Sequence, residues 1–270
     1  MRKYLALLII LGAIEISLAL YLTIWREHFW QSVSNKQGVD FIRQLVIFTV
    51  VAMSIGLTSG LSGYMISLSS IEWRKKLNKK AHKSQVKVEN ISQRIQEDCM
   101  SYPDLMLNLG WGSIKAVTYV VIFSISLMLT FNWWYVCILS IYCIIGSWLT
   151  NKIARPLIEL NYQQQRMEAT YRSKLSISNF QNCIEVMLGL AKRQKKLTYF
   201  QQFYGQLGVI VPLLLIAPAY FSSAMTLGLL MRFTSLSSTI LDNMSYGINS
   251  FAMINKLVSC RRRLKEANII

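Results

Sequence analysis

Long uncharged apolar runs alternate with stretches dense in Lys and Arg along this chain. Residues 4–24 hold one charged side chain, Glu15, and residues 46–68 hold none. About twenty helical residues cover the roughly 30 Å of a bilayer's hydrocarbon core, and a helix satisfies its own backbone polar groups there. The pattern predicts six spans, at about 4–24, 44–68, 114–131, 134–150, 207–223 and 225–254, in an all-α integral membrane protein. Residues 1–270 read as a single transmembrane domain. The turn Phe131-Asn132-Trp133-Trp134 is very short, and its aromatic rings suit the membrane–water interface. The turn around Ser222-Ser223 is as tight, so the last four spans form two hairpins.

Charge placement gives an orientation. Of 29 Lys and Arg, 25 fall on the side that holds both termini. The positive-inside rule puts that side in the cytoplasm. Two cytoplasmic stretches, about 70–113 and 151–206, are too long for turns and read as helix, so the spans are expected to run on as long cytoplasmic hairpins. The net charge of +16 lies between apolar segments and not along one soluble face, and no nucleic-acid-binding motif accompanies it. Nucleic acid is therefore not an expected partner.

Composition removes further classes. Mean hydropathy is +0.35 and only 16% of residues are charged. The five cysteines are odd in number and lack a CxxC spacing, which argues against a disulfide framework or a zinc site. His28 and His82 are too far apart in the chain to seed a metal cluster. No phosphate loop, GxSxG or HExxH occurs. An enzyme, a cofactor and a metal are all unexpected.

Chemistry concentrates in the charges that the spans carry. A charge in hydrocarbon is expensive and marks function by default. Glu15 lies mid-span and is expected to face a polar cavity or a partner, or to stay protonated by desolvation. Arg232 lies about two turns inside the outer surface, where it either serves a cavity or snorkels outward, and Asp242 lies about three turns deeper. Glu97, Asp98 and Glu168 flank spans on the cytoplasmic side. A proton carrier must change charge near physiological pH, which a carboxylate does only where burial or a like charge favours its protonated form. These six residues are the candidates for proton coupling or a cavity. The competing reading is that Glu97 and Glu168 pair with Arg94 and Arg172 to brace the cytoplasmic hairpins. Gly56, Gly60 and Gly63 form a small-residue face that packs tightly within one protomer or seams a dimer. Pro212 and Pro218 predict a kinked fifth span.

Several motifs then point to a family. Glu72-Trp73-Arg74 is followed by Ser92-Gln93-Arg94-Ile95-Gln96-Glu97-Asp98-Cys99-Met100, and later by Gln165-Arg166-Met167-Glu168-Ala169-Thr170-Tyr171-Arg172 and Thr226-Leu227-Gly228-Leu229-Leu230-Met231. In this order they resemble the SbmA/BacA peptide-antibiotic transporter family, whose members share the exporter-type fold of ABC half-transporters. Trp25, Phe29 and Trp30 sit where that family has an aromatic cluster. The resemblance implies a six-span exporter-type bundle, a homodimer in the bacterial inner membrane, and a peptide or similar bulky substrate. It also implies a proton-gradient drive, and structural roles for Trp73, Arg74, Gln93, Arg94, Gln165, Arg166, Tyr171 and Arg172. The chain departs from the family in a shortened stretch from Leu175 to Gln194 and in Arg232, where Gln is usual. It stops near Arg261-Arg262-Arg263, about where a linker to an ATPase domain begins. Two alternatives stay open: a permease half served by a separate ATPase subunit, and a non-transporting membrane scaffold or decayed remnant.

Overall fold

A computed structural model describes residues 2–83, 97–174, 177–266 and 269–270, with the side chains of 2, 82, 83, 154–174, 177–180, 182, 183, 186 and 266 outside the description. The described residues are helical apart from short turns and the last two residues, with no strand among them. The helices are α1 (Arg2–Ser34), α2 (Gly38–Lys83), α3 (Cys99–Thr130), α4 (Trp133–Lys174), α5 (Ile177–Phe221), α6 (Leu227–Met244), α7 (Tyr246–Asn249) and α8 (Phe251–Glu266).

Among the described residues, five helices are long and apolar enough to cross a membrane, and these are α1 to α5. The sixth expected segment, 225–254, is not one helix. It starts as α6, is distorted at Ser245 (φ −83°, ψ 2°), makes the single turn α7, and is distorted again at Ser250 (φ −87°, ψ 3°) before α8, while helical hydrogen bonds continue through both serines. Helix also runs well beyond the apolar runs: α2 continues to Lys83, α4 to Lys174, and α5 begins at Ile177.

Three tight turns fold these rods against one another. Thr130 and Trp133 are separated by two residues, and the Phe131 N–H caps the Leu127 carbonyl at 2.8 Å. Ser223 turns α5 into α6 with a left-handed φ of 58°. The third turn was not expected, because residues 25–43 read as an outer loop. Instead α1 and α2 continue helically to a turn at Asn35–Gln37, where Lys36 takes φ 56°. Its N–H bonds Val33 O at 3.1 Å while Gln37 N–H reaches Ser32 O at 3.0 Å, the hydrogen-bond pair that ends a helix at a left-handed residue. Aromatic packing explains why helix wins there. Trp25 stacks on Phe29 at 5.0 Å and meets Phe48 at 4.8 Å, and Phe29 meets Phe41 at 5.4 Å. Trp25 also donates its indole N–H to the Gln44 carbonyl at 2.8 Å.

The main core surrounds α6, which packs on α1, α3 and α5. Phe233, Leu236 and Ile240 recur at helical spacing on its buried face, against Phe123 and Leu127 of α3, Leu139 of α4 and Ile216 of α5. Thr226 caps the helix, its hydroxyl accepting from the Leu229 N–H. A smaller second core joins the far end of α2 (Leu77, Ala81), the start of α3 (Cys99, Tyr102, Leu105) and α8 (Cys260, Leu264). Trp73 packs against it, edge-on to Tyr102 at 5.8 Å.

Little of each span is covered by the rest of the chain. The most apolar stretch of each of the five helices is only 11–28% buried. The Gly56–Gly60–Gly63 face is among the uncovered surfaces, because a Cβ added at any of the three meets nothing within 4 Å. The expectation that these glycines pack tightly within one protomer is thereby corrected: none of the described helices approaches that face closely. By contrast, a Cβ at Gly146 would collide with the Tyr204 ring, which is how α4 and α5 come close. Tyr142 stacks on Tyr204 at 4.6 Å in the same contact.

Candidate functional site

The charged side chains that the apolar runs carry are gathered into pairs between helices. The first pair joins α1 to α3. These helices advance together, since Gly12 lies against Trp111 and Glu15 against Lys115. Gly12 is needed for this approach, because a Cβ there would come within 2.8 Å of the indole. One turn further on, Lys115 Nζ donates to Glu15 Oε1 at 2.6 Å. The α3 side of the contact is a strip at four-residue spacing, Trp111, Lys115, Tyr119 and Phe123, with the last two rings 5.4 Å apart. The pair is unsaturated. Glu15 Oε2 and Trp111 Nε1 are both buried, and neither has a hydrogen-bond partner among the described residues.

The second pair joins α1 to α6. Arg232 Nη1 donates to Glu27 Oε2 at 2.8 Å, with both side chains largely buried. Snorkelling is therefore not the resting arrangement of Arg232. Gly228, one turn earlier, lets the two helices meet: a Cβ there would strike the Glu27 carbonyl oxygen. Arg232 Nε is buried without a partner among the described residues, so this pair too is incompletely satisfied. Sequence reasoning missed Glu27. The available signal was that residues 25–43 contain only two acids, Glu27 and Asp40, able to answer an arginine near that side of the membrane.

A third pair lies outside the apolar runs, in the second core. Arg263 of α8 grips Asp98 with two hydrogen bonds, Nε to Oδ2 at 2.9 Å and Nη2 to Oδ1 at 2.7 Å. Its Nη2 also reaches Cys260 Sγ at 3.4 Å. These bonds hold the Arg263 guanidinium above its usual value. Burial, followed by the Asp98 charge, pushes the Cys260 thiol up to about 11.

The other expected site residues distribute differently. Glu97 is exposed beside Asp98, and Asp242 is exposed on α6. Trp73 and Arg74 end the apolar part of α2, with Trp73 in the second core. Gln165, Arg166, Glu168, Tyr171 and Arg172 all lie on α4, with side chains outside the description. Gln93 and Arg94 fall outside the described residues, as does the expected bracing of Glu97 and Glu168 by Arg94 and Arg172. Three of the six candidates take part in described ion pairs, each with a residue from elsewhere: Glu15 with Lys115, Arg232 with Glu27, and Asp98 with Arg263. No cluster of three metal-binding side chains occurs among the described residues.

Known proteins resemble the chain along most of its length. It is 25% identical to the inner membrane ABC transporter ATP-binding protein YddA of Escherichia coli (strain K12), over 96% of this chain and 55% of that protein. An uncharacterized ABC transporter ATP-binding protein of Haemophilus influenzae is 26% identical, over 84% of this chain and 46% of its own length. ABC transporter D family member 2, chloroplastic, of Arabidopsis thaliana is 22% identical, over 88% of this chain and 38% of its own. The chain thus spans about half the length, or less, of these relatives. The SbmA/BacA-like family matches residues 5–269, and the chain belongs to that family.

Proposed function

We propose that this chain is a membrane transporter for peptides or similar bulky solutes, driven by a proton gradient and working as a homodimer in the bacterial inner membrane. It crosses six times, with α6 and the distorted stretch around α7 forming the sixth pass and both termini in the cytoplasm. Kinship with ABC transporter relatives supports transport as the activity. With Lys115 set aside because it pairs with Glu15 between two spans, 24 of 29 cationic residues on one side support the orientation. The thin coverage of each span supports a second copy, since one chain this open encloses no wide path.

The observation that carries the proton reading is the unsaturated Glu15–Lys115 pair. Glu15 is buried between two spans, with one oxygen on Lys115 and the other without a partner among the described residues, which makes it the first candidate to test as the carrier. Protonation removes the charge that holds Lys115 and frees α1 from α3, and deprotonation restores the pair. Proton occupancy and helix packing are then two faces of one equilibrium. The deciding experiment is uptake of a labelled proline-rich peptide by a transporter-null strain expressing the chain, with and without a protonophore. Uptake that survives collapse of the gradient overturns the proton drive.

A second reading has its own support. The similar proteins carry ATP-binding names, and this chain covers about half of each or less. A permease half powered by a separate ATPase fits that pattern. Under this reading uptake resists the protonophore and fails when cellular ATP is depleted with the gradient maintained.

A further inference from the structure

The backbone is distorted at Ser245 and Ser250, although helical hydrogen bonds continue through both. A cavity lies beside them. A notch of about 290 Å³ opens between α5, α7 and α8. Gln194, Thr198 and Gln201 line it from α5, and Asn255, Lys256 and Ser259 line it from α8. Its polar side chains are amides, hydroxyls and one ammonium, with no carboxylate among the described residues that line it. Gln201 Nε2 donates to the Ile248 carbonyl at 3.2 Å, tying α5 to α7 across its floor.

Its depth follows from helix length. About twenty residues span the hydrocarbon. Counted inward from the outer ends Phe221 and Leu227, that distance reaches Gln201 on α5 and the neighbourhood of Ile248 on the sixth segment. The two helices leave the same tight turn, so these equidistant residues face one another, and they are hydrogen-bonded in the structure. The notch begins where hydrocarbon gives way to headgroups. Lys192, Arg193, Lys195 and Lys196 are exposed on the adjoining stretch of α5, with Lys195 Nζ 5.3 Å from the centre of the Tyr199 ring. Lys195, Tyr199, Phe203 and Leu207 lie on the side of α5 turned away from the notch, with Phe203 and Leu207 exposed.

We infer that this notch holds the phosphate headgroup of an anionic phospholipid from the cytoplasmic leaflet. Lys256 supplies the countercharge, and the amides and hydroxyls of Gln194, Thr198, Asn255 and Ser259 supply donors. A notch at headgroup level with one ammonium, neutral donors and no carboxylate among its described lining residues has the chemistry of a site for an anionic headgroup. The inference rests on the orientation proposed above but on neither transport nor its energy source.

The test is native mass spectrometry of the full chain in mild detergent, supplied with phosphatidylglycerol, phosphatidylcholine or millimolar inorganic phosphate. One phosphatidylglycerol is retained per chain, in preference to phosphatidylcholine, and inorganic phosphate does not displace it. Lys256→Gln lowers retention about fivefold, the contribution of one cation at an anionic surface. Lys265→Gln, an exposed cation of the same helix outside the notch, leaves retention unchanged. The double variant Thr198→Val with Asn255→Leu, which removes two donors without touching charge, provides a second route should Lys256→Gln fail to fold. Equal loss from both lysine variants overturns the site in favour of a diffuse cationic face, such as one for an acidic protein. Displacement by inorganic phosphate overturns it in favour of a free-anion site. Equal retention of phosphatidylcholine, or no effect of the notch variants, overturns it outright. Retention is read without a gradient, so it can hold where transport fails and fail where transport holds.

Discussion

Two carboxylates in this molecule are held by cations in opposite ways. Asp98, at the root of α3, gives both oxygens to one guanidinium, and its partner also touches a thiol. Glu15, inside the apolar run of α1, gives one oxygen to Lys115 and leaves the other buried and unpartnered. The difference begins with the cations. A guanidinium is a rigid fork matched to a carboxylate, whereas an ammonium is a point charge on a flexible stem. The first arrangement fixes α8 against α3 and has nothing left to offer. The second keeps an acceptor in reserve, at a depth where an unsatisfied acceptor is costly. Saturation belongs to a clamp, and incompleteness to a place where the chemistry is unfinished.

The sharpest way to break this comparison is to neutralise each acid and ask which property disappears. Glu15→Gln keeps size and an acceptor for Lys115 but cannot exchange a proton. Peptide uptake should lose its dependence on the proton gradient and fall at least about tenfold, with expression retained. The double variant Glu15→Gln with Lys115→Met separates a working pair from a merely packed one. Replacing a buried ion pair by neutral groups of similar size is often nearly neutral for stability. A double variant that transports like the parent would end the coupling assignment for Glu15.

Asp98→Ala should do the reverse. It strands a half-buried guanidinium and uncouples α8 from α3, at a cost of about 2–3 kcal/mol, toward the low end for a broken buried pair because Arg263 is partly exposed. The expected signature is a Tm lower by several degrees in detergent, with the gradient dependence of any remaining uptake intact. Loss of gradient dependence in this variant would erase the proposed division between clamp and switch.

The Glu27–Arg232 pair tests whether incompleteness is general to the spans. Like the Glu15 pair it has a single short contact and a buried polar atom without a partner among the described residues, here Arg232 Nε, and it depends on Gly228 for the approach of α6 to α1. Gly228→Val drives a side chain into the Glu27 backbone and should cost about 1–3 kcal/mol by overpacking. Gly247→Val, where nothing lies within 4 Å, should cost no more than a helix-propensity difference. Equal effects at both positions, by thermal unfolding in detergent, would remove close approach as the reason for the glycine.

What the sequence made legible follows from the range of the forces involved. Apolar runs and tight turns are local, so α1 to α5 and the turns at Phe131 and Ser223 could be read directly. The turn at Lys36 could not, because what extends α1 and α2 to it is a cluster of rings contributed by both helices, Trp25 and Phe29 against Phe41 and Phe48. The distortion near α7 was hidden because Ser245 and Ser250 are ordinary in helices, and only the neighbouring Gln201 reveals that a carbonyl is satisfied from outside. The charged residues themselves stood out as anomalies. Their partners did not, since Glu15 and Lys115 are 100 residues apart and Asp98 and Arg263 are 165 apart. Resemblance supplied the family, and pairing had to come from packing.

The smallest expected effect sharpens the account of the clamp. Cys260 is buried beside Asp98 and Arg263, and burial together with the Asp98 charge raises its thiol from 9.0 to about 11. Its neutral form is therefore favoured by folding. The sign follows: the stabilisation is complete below pH 9.0, where folded and unfolded chains both keep the proton, and it is lost as pH rises through about 11, because the unfolded chain ionises first. The Tm of the parent should consequently fall more steeply between pH 9 and 11 than that of Cys260→Ala, by about 2 °C. Lysine and tyrosine titration is common to both proteins and cancels in the difference. Asp98→Asn removes one cause of the shift and leaves burial in place, so its curve should lie between the other two. Parallel curves for parent and Cys260→Ala would mean that the thiol escapes into solvent once it ionises, and that the Asp98–Arg263 clamp closes less tightly around α8 than its two short hydrogen bonds imply.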